Sequence, residues 1–240
     1  MQLFYNKSLE KGNSTCSFTK EESKHIVKVL RKTIGDTLHI TNGKGILFIG
    51  KITSCSITHC VVHITSEEFS KKRSYNLHLA VAPTKMKERY EWFLEKATEI
   101  GVDTITPIIC NNSERKTLKI ERLERIIESA AKQALIFFIP KLNPPVTFND
   151  FIKKTKNKNT DTLYIAHCNS GEKKVLHNNL KPKINTTILI GPEGDFSPEE
   201  IKMALEHNAI PITLGDNRLR TETAAIVACH TVSLINNYSL

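Results

Sequence analysis

Two short stretches near the C-terminus hold the residues best suited to chemistry. Gly191-Pro192-Glu193-Gly194 follows the apolar run Ile188-Leu189-Ile190, and Gly215-Asp216 follows the apolar run Ile210 to Leu214. Glycines at a strand end let a ligand, either an anion or a flat ring, approach the backbone closely. After the second glycine loop come Arg218, Arg220 and Glu222, and then Ala224-Ala225-Ile226-Val227-Ala228-Cys229, an apolar stretch expected to be a buried helix. A cation at a helix N-terminus opposes the helix dipole, whereas Glu222 agrees with it. Charge placed against local preference at the edge of a core points to function. The structural alternative is an Arg–Glu pair that closes a loop.

Other chemistries lack their residues. There is no G-x-x-x-x-G-K-[ST], which disfavours a nucleoside triphosphate, and no serine elbow or Cys–His nucleophile pair. The six cysteines form no C-x-x-C pair, and most lie in apolar runs as small hydrophobes, which fits a reducing compartment. Cys55, His59, Cys60 and His63 are close enough to raise zinc, but their alternation reads as a plain strand, so no metal is expected. Any chemistry here must rest on positioning and on one or two charged groups, or there is none.

The elements that would position these loops alternate. Leu77–Ala82, Thr104–Cys110, Leu163–Ala166, Ile188–Ile190 and Ile210–Leu214 read as strands. Lys85–Ile100 reads as a helix, with Met86, Tyr90, Phe93, Ala97 and Ile100 inward and Gly101 as its end. Leu118–Phe138 reads as a second helix, stopped by Pro140, and the Pro144-Pro145 and Lys153–Lys158 region reads as a surface connection. Ser197-Pro198-Glu199-Glu200 carries a capping box with proline at the first helical position. The alternation predicts a largely parallel sheet covered by helices, with ligands beyond the carboxyl ends of its strands.

The first 70 residues differ. Residues 21–31 predict a short helix, with His25, Val29, Ile26 and Leu30 inward and Lys24, Lys28, Arg31 and Lys32 making a basic outer side. Thr37–Ile40 and Ile46–Ile49 flank Asn42-Gly43, a strong hairpin signal, and alternating residues continue to about Thr65. The spacing predicts a small barrel, and the charged run Glu67–Arg73 marks the boundary, giving domains 1–70 and 71–240.

At 240 residues the chain has ample length for two such domains, and no apolar run approaches the roughly 20 residues a membrane span needs. The N-terminus lacks a signal-peptide layout, so a cytoplasmic location is expected, with no membrane partner. A net charge of +9 favours a polyanionic partner.

LIGPEGDFSPEE followed by LGDNRLRTETAA resembles the C-terminal signature of the SPOUT-superfamily RNA methyltransferases, and most closely the RsmE family, the bacterial uridine-N3 methyltransferases of 16S ribosomal RNA. HIVKVLR, GDTLHITNGKG, KATEIGVDTITPI and ESAAKQ extend the resemblance over the whole chain. It implies a PUA-like β-barrel that docks RNA, a C-terminal α/β domain with a trefoil knot, a homodimer, and S-adenosylmethionine as methyl donor. Ala166, His167, Ile190, Gly191, Glu193 and Gly194 would line one side of the donor, and Leu214, Gly215 and Leu219 the other. Arg220 would face the uridine and stabilise the negative charge of its deprotonated base, with Glu222 orienting Arg220 or assisting proton removal. Lys24, Lys28, Arg31, Lys85, Lys87 and Arg89 are candidates for phosphate contact with the ribosomal RNA of the small subunit. Many family members carry an arginine where this chain has Ile136, with Lys132 and Lys141 as possible substitutes. The same loops also fit methylation of a ribose 2′-hydroxyl or of transfer RNA, or a non-catalytic RNA-binding factor of the same fold. Nucleoside analysis separates the first two from N3 methylation, and failure to bind S-adenosylmethionine would mark the third.

Overall fold

The computed structural model describes residues 1–155 and 161–237, which fall into two compact units. The first is Met1–Lys72 with Ala131–Ile139, and the second is Arg73–Ala130 with Pro140–Leu240.

The first unit is built on β1 (Leu3–Tyr5), β2 (Thr15–Ser17), α1 (Lys20–Lys24), β3 (Thr37–Thr41), β4 (Ile46–Cys55) and β5 (Cys60–Phe69). The Asn42-Gly43 turn joins β3 to β4 in antiparallel register, and the sheet order is β1-β3-β4-β5-β2. The edge strands meet through one side chain rather than a ladder: Asn6 Nδ2 donates to Ser17 O at 3.1 Å. Inside lie Phe4, Phe18, Ile26, Leu38, Ile40, Phe48, Ile52 and Val62. The continuous strand expected around Cys55–His63 is instead a hairpin. Ser56–His59 makes its turn, and Cys55 faces Cys60 across it. The β-rich region runs on to Phe69, past the expected end near Thr65.

The helix expected over residues 21–31 is α1 followed by a single π turn, His25–Val29. The wider turn rotates the inner side. Ser23 and Ile26 are buried, whereas Val29 is exposed, contrary to its expected place.

In the second unit follow β6 (Leu77–Val81), α2 (Lys87–Ile100), β7 (Thr104–Ile109), α3 (Ile120–Gln133, of which the residues from Ala131 on count with the first unit), β8 (Lys141–Leu142), β9 (Val146–Thr147), α4 (Phe148–Thr155), β10 (Thr162–Ala166), β11 (Lys174–Val175), α5 (Leu176–Asn179), β12 (Thr186–Ile190), α6 (Pro198–Glu206), β13 (Ile210–Thr213) and α7 (Thr221–Asn237). The eight strands pair in the order β11-β13-β10-β12-β6-β7-β8, with β9 also on β7, and every pair is parallel. Such a sheet needs cover on both faces, and the central strands are accordingly buried, β12 along its whole length and β6 at every residue but His78. Ala80, Ile165 and Leu189 pack with Phe148, Phe151 and Ile152 of α4 and Ile201 and Ala204 of α6. Helices α2 and α7 pack on each other, and α7 also lies on β6 and β12.

Several boundaries differ from expectation. Helix α2 begins at Lys87, so Met86 stands before it and is exposed rather than inward. Helix α3 stops at Gln133, not Phe138, and Leu135 turns with φ 56°. The residues beyond are taken up by the first unit: Gly45 N donates to Phe137 O and Ile139 N to Gly43 O, which no longer leaves them for a helix. Part of the expected Lys153–Lys158 connection is α4, because Phe148, Phe151 and Ile152 form a buried helical stripe. Its remainder, 156–158, lies outside the described residues. Helix α7 is buried along Ala225, Ala228, Cys229 and Val232 rather than all round.

Candidate active site

Strands β13, β10 and β12 are neighbours and end at the same edge of the sheet. Their three following loops enclose a cavity of about 520 Å³. Ala166, His167, Ile190, Gly191, Glu193, Leu214, Gly215, Leu219 and Arg220 all line it, as do Lys173, Asp195 and Arg218. Gly194 and Glu222 are not among the lining residues.

Each loop is held by a specific device. Helix α6 opens with Ser197 as N-cap and Glu200 closing the reciprocal capping box, as the sequence predicts. The buried Glu200 does more: its second oxygen accepts Asn111 N at 2.9 Å, which ties the loop after β7 to this helix start. Asp195, at φ 61°, accepts Cys168 N at 2.7 Å and so joins the loops after β12 and β10. Asn112 Nδ2 donates to Gly194 O at 3.0 Å, placing Gly194 behind the cavity wall. Glu193 spends its carboxylate on Lys85 N at 3.0 Å, so it is a strut between two strand ends.

Two glycines are dictated by geometry. A Cβ on Gly191 would stand 3.1 Å from ring carbons of Phe196, and Gly215 has φ 142°, where a side chain is strained. The third loop is fastened by Thr221, whose hydroxyl donates to Gly191 O at 2.9 Å. This bond joins the start of α7 to the loop after β12. Thr221, Asp195 and Asn112 are the site residues that sequence reasoning missed. Of these, Asp195 was detectable, because aspartate beside Gly194 is among the few residues that tolerate a left-handed turn.

The charges divide clearly. Arg220 is exposed at the cavity, and among the described residues it has no ion-pair partner. Arg218 donates to Glu193 O at 3.4 Å. Glu222 points elsewhere: it is buried in the first turn of α7, and its partner is Arg89 of α2, with Nε 3.7 Å from Oε1. His167 has a buried Nδ1 with no hydrogen-bond partner. Burial, and then Lys173, hold its imidazole below the ordinary value of 6.5, with Asp195 acting in the opposite sense.

The other candidates are not among the residues that line this cavity. Lys24, Lys28 and Arg31 are exposed on the first unit. Lys85 extends its ammonium to Glu114 at 2.8 Å, and Lys132 to Glu22 at 3.0 Å. Among the described residues no cluster of three or more His, Cys, Asp or Glu is arranged to hold a metal, and no helix is long and apolar enough to cross a membrane.

A chain with a parallel α/β sheet, a loop-built cavity at the sheet's carboxyl edge, and a separate β-rich unit matches a defined class. Residues 70–233 match the family model for the RNA methyltransferase domain, and residues 18–63 match that for the RNA methyltransferase PUA domain. The chain therefore belongs to the RNA methyltransferase family, and within it to the relatives named ribosomal RNA small subunit methyltransferase E. The Buchnera aphidicola (Acyrthosiphon pisum) protein of that name is 35% identical over 88% of this chain and 85% of its own length. The Rickettsia conorii protein of the same name is 28% identical over 99% and 96%. Among solved structures, a probable rRNA-methyltransferase from Porphyromonas gingivalis is 36% identical, covers 99% of both chains and superposes with a TM-score of 0.91. A Legionella pneumophila protein described as a methyltransferase, solved with bound SAM, is 29% identical over 98% and 97%, with a TM-score of 0.86.

Proposed function

We propose that this chain transfers a methyl group from S-adenosylmethionine to N3 of a uridine in the 16S ribosomal RNA of the small subunit. The observation that carries the reading is the meeting of both glycine loops around one cavity that Arg220 faces. Its volume of about 520 Å³ is in the range that small-ligand sites occupy. The buried, unpartnered Nδ1 of His167 provides a polar group for the donor to satisfy. Ala166, His167, Ile190, Gly191 and Glu193 would hold one side of it and Leu214, Gly215 and Leu219 the other, with Gly194 supporting the wall. The donor supplies a methyl carbon already made electrophilic by its sulfonium, so no metal is required.

The protein's part is orientation and charge. A uracil N3 becomes nucleophilic when its proton leaves and negative charge spreads onto the flanking carbonyls. Arg220, unpaired at the cavity, stabilises that charge, an electrostatic role of the oxyanion-hole kind. The glycine-lined walls fix donor and acceptor in line. Lys24, Lys28, Arg31 and Lys85 contribute phosphate contacts, and binding weakens with salt accordingly.

The reading includes a cytoplasmic homodimer, with the half-buried apolar flank of α7 (Ile226, Val227) and the exposed Leu234 as the surface for the second copy. It also includes the trefoil knot expected of the family. The test is Arg220→Ala. Methyl transfer should fall by about 100-fold or more while calorimetric S-adenosylmethionine affinity stays within about twofold. An unchanged rate would remove Arg220 from the reaction.

A further inference from the structure

Arg89 and Glu222 are far apart in sequence, yet they form an ion pair at the edge of the site. Arg89 sits in the first turn of α2, and Glu222 in the first turn of α7. The Glu222 side chain is 8% exposed, and Arg89 Nε lies 3.7 Å from its Oε1. Its other oxygen, Oε2, is buried with no hydrogen-bond partner. Among the described residues Arg89 is the single cation within ion-pair distance of this carboxylate. A buried carboxylate that is only half satisfied depends strongly on its one counter-charge.

Position gives the pair its role. Glu222 lies two residues beyond Arg220, and the intervening Thr221 is bonded to Gly191 O. Ala224 N closes the first turn of the helix on Arg220 O at 2.8 Å. The turn that carries Arg220 is therefore fixed from two sides: by Thr221 on the loop after β12 and by Glu222 on α2.

We infer that Arg89 is a positioning residue for the methyl-transfer site, holding Glu222 and through it the turn that carries Arg220, and that it does not serve as a phosphate contact. The inference rests on the proposed function, since it concerns where Arg220 stands. Glu222 itself has no direct hold on the cavity; it anchors the helix start. The basic character of α2, which by sequence marks Arg89 as an RNA contact, is here used internally.

The test is a double-mutant cycle in full-length protein, with single-turnover methylation of ribosomal RNA as readout. Arg89→Met should lower the rate of the methyl-transfer step by on the order of 10- to 100-fold, the scale of a misplaced group. RNA affinity, its salt slope and S-adenosylmethionine affinity should stay within about twofold of wild type. Arg89→Lys should recover part of the rate, and Arg89→Met should add little in a Glu222→Gln background. Amide exchange at Thr221–Ala225 should quicken in Arg89→Met, a readout that needs no activity. A weakened RNA affinity with a salt slope lowered by about one would mark Arg89 as a phosphate contact and overturn the inference. Full additivity with Glu222→Gln, or unchanged exchange, would overturn it as well. A wild-type protein that methylates no RNA while the exchange result holds would count against the proposed function and leave the ion pair's anchoring role standing.

Discussion

Thr221→Val tests how the site is held together, because it removes one hydrogen bond and little else. The Thr221 hydroxyl donates to Gly191 O at 2.9 Å, and Thr221 is 6% exposed. Valine keeps the branched shape but leaves a buried carbonyl without that donor. A net hydrogen bond is worth about 0.5–1.5 kcal/mol, and an unsatisfied buried acceptor costs about 1–3 kcal/mol. A total near 1–3 kcal/mol corresponds to a fall in Tm of roughly 2–10 °C for a chain of this size. Because the bond registers two of the three loops around the cavity, part of the loss should appear in binding. About 1 kcal/mol of lost preorganisation weakens S-adenosylmethionine roughly fivefold by calorimetry. Thr231→Val is the matched control: that hydroxyl bonds to Val227 O within α7 itself and joins no loops. It should leave affinity unchanged. If Thr221→Val and Thr231→Val bind the donor equally well, the loops are not registered by this bond and the account of the site's construction is wrong.

Two further outcomes follow from the same geometry. Gly191→Ala places a Cβ 3.1 Å from the Phe196 ring and 3.2 Å from its backbone nitrogen, and Phe196 is buried. Overpacking there should cost about 1–3 kcal/mol in a denaturation experiment, with weakened donor binding; unchanged stability would show that the ring moves aside freely. His167 resists protonation in the folded state, so below about 6.5 the unfolded chain binds a proton that the folded site refuses. Its contribution is complete above that pH and is lost as pH falls below it. Between pH 8 and pH 5 wild type should therefore lose more stability than His167→Asn, and identical slopes would contradict the assignment.

Periodicity made most of the second unit legible. Leu77 to Ala82 and Ile188 to Ile190 read as strands because nearly every residue is apolar, as a sheet covered on both faces demands, although the second strand begins two residues earlier, at Thr186. The Ser197–Glu200 box was legible because a helix start leaves donors that nearby side chains must satisfy. The cavity wall was largely legible too, since its glycines stand where strands end. What escaped was decided by distant partners. The last turn expected of α3 gives way because Gly43 and Gly45, some 90 residues earlier in the chain, pair with Phe137 and Ile139. The π turn at His25 leaves no periodic trace until it rotates Val29 outward. The sequence places Glu222 beside its neighbour Arg220, whereas its charge is met by Arg89 on another helix. Local spacing cannot show a contact between elements.

The most direct measurement is nucleoside analysis of 16S ribosomal RNA after small subunits lacking the modification are incubated with the protein and methyl-labelled S-adenosylmethionine. The account predicts label in N3-methyluridine at a single position, abolished by Arg220→Ala. Label in a ribose 2′-O-methyl group, or in no nucleoside while S-adenosylmethionine still binds, would contradict it.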